Sequence, residues 1–161
     1  MIKETTQAVD IVKAATQEEM DVARGLFREY AASLNVDLCF ENLDKELEGL
    51  PGEYAPPEGR LLFALVDGNV QGCVALKKAG DQLCEMKRLF VRPGFQGLGI
   101  GKKLVLTLID EARAAGYRRL RLDTLPSMQA AIRLYRRLGF AEIPPFRPLP
   151  IPGALYMEVK L

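Results

Sequence analysis

Along most of this chain the apolar residues recur with a period near 3.6 or near 2, and each change of period marks an element. Residues 9–14 read as a short strand. From Thr16 the spacing turns helical, with Met20, Ala23, Leu26, Phe27, Tyr30, Ala31 and Leu34 on one face. Thr16 and Glu19 have the spacing of a capping box, so this helix is expected to run to about Ser33. Phe40, Leu43, Leu47 and Leu50 predict a second, shorter helix whose outer side carries Glu41, Asp44, Glu46 and Glu48, and Pro51-Gly52 ends it.

Residues 51–59 hold three prolines and two glycines, the composition of a surface loop. Strand-like runs at 61–66 and 70–77 flank Asp67-Gly68-Asn69, a hairpin signal, and Ala79-Gly80-Asp81 turns the chain into a third run, 83–91. Ile100, Leu104, Val105, Leu108, Ile109 and Ala112 form one stripe of a helix over 99–115, stopped at Gly116. Residues 119–124 alternate like a half-buried strand, joined to 83–91 through that helix as a parallel crossover. A helix over 128–138 packs Met128, Ala131, Ile132, Tyr135 and Leu138. Five prolines in 144–153 preclude regular pairing, and 154–160 is the closing strand. This order predicts an α/β (α+β) fold, a mixed sheet with helices on its faces.

Composition narrows the picture. At 161 residues the chain has the length of one domain, 1–161 with its core from about residue 9, able to bury roughly 70% of its extended surface. Twenty-two Lys and Arg against twenty-one Asp and Glu leave a net charge of +1, so nothing global points to nucleic acid or an anionic membrane. Cys39, Cys73 and Cys84 are odd in number and lack C-x-x-C spacing, as expected of reduced thiols in a cytoplasmic protein. The first ten residues lack the apolar core of a signal peptide, and no run approaches the ~18 apolar residues of a membrane span. Histidine is absent, which excludes a histidine-based triad and argues against a catalytic zinc.

Candidate chemistry concentrates where strand 83–91 meets helix 99–115, in Val91-Arg92-Pro93-Gly94-Phe95-Gln96-Gly97-Leu98-Gly99-Ile100-Gly101-Lys102. Glycines 97, 99 and 101 let the backbone turn tightly and aim its N–H groups at an anion at the positive end of the helix. Lys102 and Lys103 oppose the helix dipole there, a conflict that a bound anion relieves. A Walker A loop counted back from Gly101-Lys102 would put Gln96 at its first glycine and Lys103 at its hydroxyl position. A dinucleotide G-x-G-x-x-G would need glycine at Leu104 or at Lys102, although Asp123, about twenty residues on, keeps an oxidoreductase as an alternative.

The remaining pattern, Gln96-x-x-Gly99-x-Gly101, is similar to the acetyl-coenzyme A loop of the GNAT N-acetyltransferase superfamily. Glu85-Met86-Lys87-Arg88-Leu89-Phe90-Val91 and Ala131-Ile132-Arg133-Leu134-Tyr135-Arg136-Arg137-Leu138-Gly139-Phe140 resemble that family's two most informative segments, and the resemblance covers about 61–161. It implies a mostly antiparallel central sheet of six to seven strands flanked by about four helices, in which strands 83–91 and 119–124 splay into a V-shaped slot for the pantetheine arm. It further implies acetyl-CoA as co-substrate, no metal, and cofactor contacts at Leu89, Phe90, Val91, Gln96, Gly97, Leu98, Gly99, Ile100, Gly101 and Lys102. A homodimer is compatible with it.

By the same resemblance Tyr135 is the acid that returns a proton to the departing thiolate, against the alternative of a core tyrosine. Its replacement by phenylalanine is then expected to remove a high-pH limb from the turnover profile. Glu85 stands where some family members carry a carboxylate base, with Leu83 and Met86 expected to raise its pKa; the alternatives are a cross-strand pair with Lys77 and an ordered water as base. Gln96 and Arg92 read as phosphate or bracing contacts or as surface residues, and Asp123 as a slot residue or a turn cap. Cys84, which alternates to the face opposite Glu85, is not favoured as a nucleophile.

The expected activity is acetyl transfer to a primary amine, of a small molecule or of a protein or peptide, by direct attack in a ternary complex. The alternatives are a non-catalytic acyl-CoA sensor of the same fold and the oxidoreductase. The acidic run Glu41, Asp44, Glu46, Glu48 points to a cationic acceptor such as a polyamine.

Overall fold

A computed structural model describes residues 8–34 and 42–161, so Cys39, Phe40 and Glu41 lie outside the described residues. Strand β1 (Val9–Lys13) leads into helix α1 (Gln17–Ser33), which starts as the sequence predicts. The Thr16 hydroxyl accepts from the Glu19 amide at 3.1 Å, and the Glu19 carboxylate accepts from the Thr16 amide at 3.0 Å. A six-residue helix α2 (Leu43–Glu48) follows. Beyond it, residues 51–59 are not wholly at the surface: Tyr54 is buried and packs edge-on against Phe27 at 6.2 Å.

Strands β2 (Arg60–Val66), β3 (Asn69–Gly80) and β4 (Leu83–Val91) run antiparallel in sequence order. Asp67 and Gly68 both have positive φ, 50° and 85°, as a tight hairpin turn matched to strand twist requires. Helix α3 (Ile100–Ala114) crosses over to β5 (Arg119–Thr124), and α4 (Gln129–Arg137) leads to a two-residue β6 (Ala141–Glu142) and to β7 (Leu155–Lys160). Among the described residues seven strands lie in the order β1-β2-β3-β4-β5-β7-β6, with only the β4–β5 pair parallel.

Strand alternation divides the apolar residues between two layers. On one face Leu62, Val74, Leu76, Met86, Leu120 and Leu122 pack under α3, with Ile132 and Tyr135 of α4 joining them. On the other, Phe63, Cys73, Ala75 and Phe90 pack under α1, α2 and Tyr54.

Two features open the sheet where the site lies. Parallel pairing of β4 with β5 stops after Leu83↔Arg119, Cys84↔Leu120 and Glu85↔Arg121, whereas β5 stays paired with β7 along all of 119–124. The two parallel strands therefore diverge beyond Glu85, as the resemblance implied. Between Cys73↔Phe90 and Ala75↔Lys87, β4 also carries one extra residue, a bulge in which Arg88 has φ 60°. A bulge bends its strand and lifts residues out of the ladder. Here it falls at the mouth of the split.

Candidate active site

The split between β4 and β5 is a slot lined by Met86, Lys87, Arg88 and Leu89 on one side and Leu122, Asp123 and Thr124 on the other. Tyr30 of α1 and Tyr135 of α4 close it from the two helical layers. Tyr135 is only 4% exposed, and its ring packs against Phe140 at 5.6 Å. Burial pushes its phenol well above the usual tyrosine range, and the nearby Tyr30 and Asp123 push it the same way. The hydroxyl therefore keeps its proton at any working pH. That corrects the expected titration limb, which would lie beyond the accessible range.

β4 runs out of the slot into the glycine loop. Gly94, Gly97 and Gly99 have φ near 92°, 82° and 79°, so the loop depends on glycine at those positions. Gly101 does not follow that reading. It lies inside α3 without positive φ, and a Cβ there would sit 3.9 Å from Leu134 and 4.0 Å from Val91, ordinary contact. The first turn of α3 has no acidic residue and no side-chain cap, so its leading N–H groups lack a side-chain acceptor at the positive end of the helix. Lys102 is exposed beside them, but Lys103 turns away and donates to the Val9 carbonyl. Gln96 braces the loop by donating to the Val91 carbonyl at 3.0 Å. Arg92 ties the loop to α1 through Glu29 at 2.8 Å and to the Val70 carbonyl at 3.0 Å.

A slot whose β4 wall runs on into a glycine loop and an uncapped helix is matched by what the chain resembles. Residues 14–140 fit the model of the acetyltransferase (GNAT) family. This chain belongs to the GNAT family. An uncharacterised N-acetyltransferase of Schizosaccharomyces pombe is 37% identical over 163 residues, covering 100% of this chain and 99% of that protein. Among solved structures, a GNAT-family acetyltransferase of Staphylococcus aureus Mu50 superposes with a TM-score of 0.79 at 20% identity, over 95% of this chain and 99% of that one. An N-acetyltransferase of Thermoplasma acidophilum, solved in complex with coenzyme A, gives 0.74 at 20% identity, over 96% and 99%. The mixed, mostly antiparallel sheet is thus the GNAT fold.

Beside the slot of this GNAT chain lies a wider cleft, reached through Lys87 and Arg88, which line both. Beneath its lining lies Glu85, paired with Lys77 and Arg147, which both face the cleft. This carboxylate is fully buried, with Arg147 at 2.6 and 2.8 Å, Arg121 at 3.1 Å and its cross-strand neighbour Lys77 at 3.8 Å. Burial alone would raise its pKa, but the Arg147 hydrogen bond and the charges of Lys87, Arg147 and Lys77 outweigh it and hold the group below the usual carboxylate range. The expected upward shift from Leu83 and Met86 is overturned. A carboxylate so held is a poor proton acceptor, and its evident work is to anchor Arg147.

Arg147 is the residue that sequence reasoning missed. It is the only charged side chain between Ile143 and Gly153, within the proline-rich stretch. It also binds Asp123 at 3.0 Å, and its carbonyl accepts from the Tyr156 hydroxyl at 2.7 Å. Phe146 beside it stacks under Arg121, with the guanidinium 3.9 Å from the ring centre. A lone arginine among prolines was the available signal, with nothing to say where it would land.

Glu46 was likewise misplaced. Rather than lying on a solvated helix face, it accepts from Arg88 at 2.9 and 3.2 Å and from the Tyr54 hydroxyl at 2.7 Å, pinning α2 to the β4 bulge. The acidic run is thus no continuous anionic surface. The two described cysteines are buried, and burial pushes both thiols up to about 12, so neither offers a thiolate at neutral pH. No helix among the described residues is long and apolar enough to cross a membrane.

Two ion-paired carboxylates predict an acid-sensitive fold. Glu85 and Glu111, the latter bridging Lys13 at 3.1 Å and Arg60 at 2.9 Å, are both held below their ordinary value of 4.5. Folded-state values below unfolded ones mean stability present above about pH 4.5 and lost as pH falls through the folded values. Urea unfolding should give a flat free energy from neutral pH down to about 5, then a steep fall. Equal stability at pH 3.5 and pH 7 would show that these pairs contribute nothing.

Proposed function

We propose that this GNAT acetyltransferase moves the acetyl group of acetyl-coenzyme A to a primary amine by direct attack within a ternary complex. The observation that carries this reading is that β4, which walls the slot opposite Tyr135, runs on into the glycine loop and the uncapped start of α3, with the charged cleft at the side of the slot. The residues fit the coenzyme: β4 beyond Glu85 has backbone unpaired with β5 to meet an amide-rich arm as a further strand would. The leading amides of α3 suit a pyrophosphate. Contacts are assigned to Leu89, Phe90 and Val91 along the strand and to Gln96, Gly97, Leu98, Gly99, Ile100, Gly101 and Lys102 in the loop, with Gln96 acting by bracing it.

When bound, the coenzyme supplies the acetyl thioester; the chain supplies placement and electrostatics. Leu89 has no register partner on β3 and lines the slot, which supports assigning to its amide the polarising of the acetyl carbonyl. The amine nitrogen forms the new bond to the acetyl carbon and gives up a proton as the amide forms, the carbon–sulfur bond breaks with its electron pair leaving on sulfur, and the thiolate takes up that proton through solvent. Tyr135 donates its hydroxyl hydrogen bond to that sulfur. The amine must first lose its proton. With Glu85 committed to Arg147, that proton passes to an ordered water, and the cations of the cleft assist by disfavouring an ammonium beside them. Holding both substrates in line contributes the largest share of the rate.

Thermal shift with candidate ligands tests the reading, since a ligand at a hundred times its dissociation constant adds about 2.7 kcal/mol. Coenzyme A should raise the melting temperature and NAD or NADP should not; the reverse would favour the oxidoreductase. Thiol release with an amine panel then separates an enzyme from a sensor, which would bind coenzyme A and release none.

A further inference from the structure

The cleft beside the slot, about 560 Å³ in volume, has among its described residues more cations than carboxylates. Among the described residues Lys45, Lys77, Lys87, Arg88 and Arg147 line it, against the carboxylates of Glu46 and Glu53. Arg88 and Glu46 neutralise one another in their close pair. Even with the buried Glu85 counted among the acids, the cations remain in excess. A polyamine entering here would meet like charge.

The arrangement of these cations is specific. Lys77 and Glu85 are cross-strand neighbours, and Lys87, two residues beyond Glu85, points to the same face. Lys77 and Lys87 therefore flank one patch of floor, next to the opening into the slot. The Lys77 ammonium stands 3.4 Å from Glu53 and 3.8 Å from Glu85, both loose contacts, and it carries three donors that an arriving oxygen can share. Arg147 is fixed by Glu85, Asp123 and the Phe146 ring 5.0 Å away, so those carboxylates meet its charge and the lysines of the lining are the cations left to meet a ligand.

Resting on the acetyl-transfer reading, we propose that the acceptor is a small amine that carries a carboxylate. Lys77 and Lys87 hold the carboxylate, and its amino group, a few bonds away, is turned into the slot. The transfer balances as before: nitrogen gains the acetyl group and gives up two protons, the first to water before attack and the second, as the amide forms, to the thiolate that leaves with the electron pair.

The experiment measures thiol release from acetyl-coenzyme A by the full chain. Aspartate, glutamate and glycine are compared with their carboxamides and with putrescine and spermidine. The acids should exceed their carboxamides in kcat/KM by at least about tenfold, the ratio expected for one charge-assisted hydrogen bond in an open cleft. Lys77→Gln and Lys87→Gln should each reduce that preference severalfold, through KM rather than kcat, with calorimetry on coenzyme A confirming that the proteins are folded. Carboxamides or polyamines used as well as the acids would overturn the inference while leaving acetyl transfer intact. An acid preference undiminished in both variants would overturn the assignment to these lysines. Release of no thiol with any amine would remove the transfer reading and this inference with it.

Discussion

Gly101→Asp is expected to weaken coenzyme A binding by about 10²-fold while leaving the fold as stable as before, or slightly more so. The two effects have opposite signs because they draw on different physics. A carboxylate in the first turn of α3 complements the helix dipole, worth about 0.3–1 kcal/mol, and the packing leaves room for its Cβ, with Leu134 and Val91 no closer than 3.9 Å. The same carboxylate stands where a pyrophosphate would approach. A like charge roughly 5 Å away at an effective dielectric near 20 costs about 3 kcal/mol, close to that hundredfold loss. Gly99 is the less informative position, since its φ of 79° would strain any replacement and mix folding with binding. Calorimetric titration of coenzyme A together with thermal melting reads both effects. An unchanged dissociation constant in the aspartate variant would make the loop a turn and nothing more.

Tyr135→Phe should lower kcat by about 10- to 10²-fold, with coenzyme A still bound. The ring stays against Phe140, so stability should change by about 1 kcal/mol or less. The loss is modest because the buried phenol holds its proton too firmly to surrender it readily. Stabilisation of the departing thiolate by a donated hydrogen bond is its feasible contribution, and such bonds to charged groups are worth about 1.5–3 kcal/mol. It follows that the pH profile of the variant should keep the shape of the wild type up to about pH 10, displaced downward as a whole. Rates equal to wild type, with a lowered melting temperature as the sole defect, would return Tyr135 to the core. A limb lost only from the variant would show that the phenol titrates in the working range after all.

The parts of this protein legible in the sequence are those fixed by neighbours along the chain. Apolar period specified α1, α3, α4 and the hairpin of β2 and β3, because a helix or strand must bury one face and the pattern records which. The capping box and the positive-φ glycines were equally local. So was the order strand, glycine loop, helix, which carried the family resemblance. Tertiary structure alone decided the rest. β4 parts from β5 after Glu85, and the bulge beyond it is tied by Arg88 to Glu46, 42 residues away, which the helical pattern had assigned to solvent. Glu85 was read from its apolar neighbours in sequence, which predict a raised pKa; its ionisation is set instead by Arg147, 62 residues on in a stretch with no period to read. Periodicity records what a residue buries, whereas charge pairing depends on distances across the fold, and no one-dimensional pattern holds those.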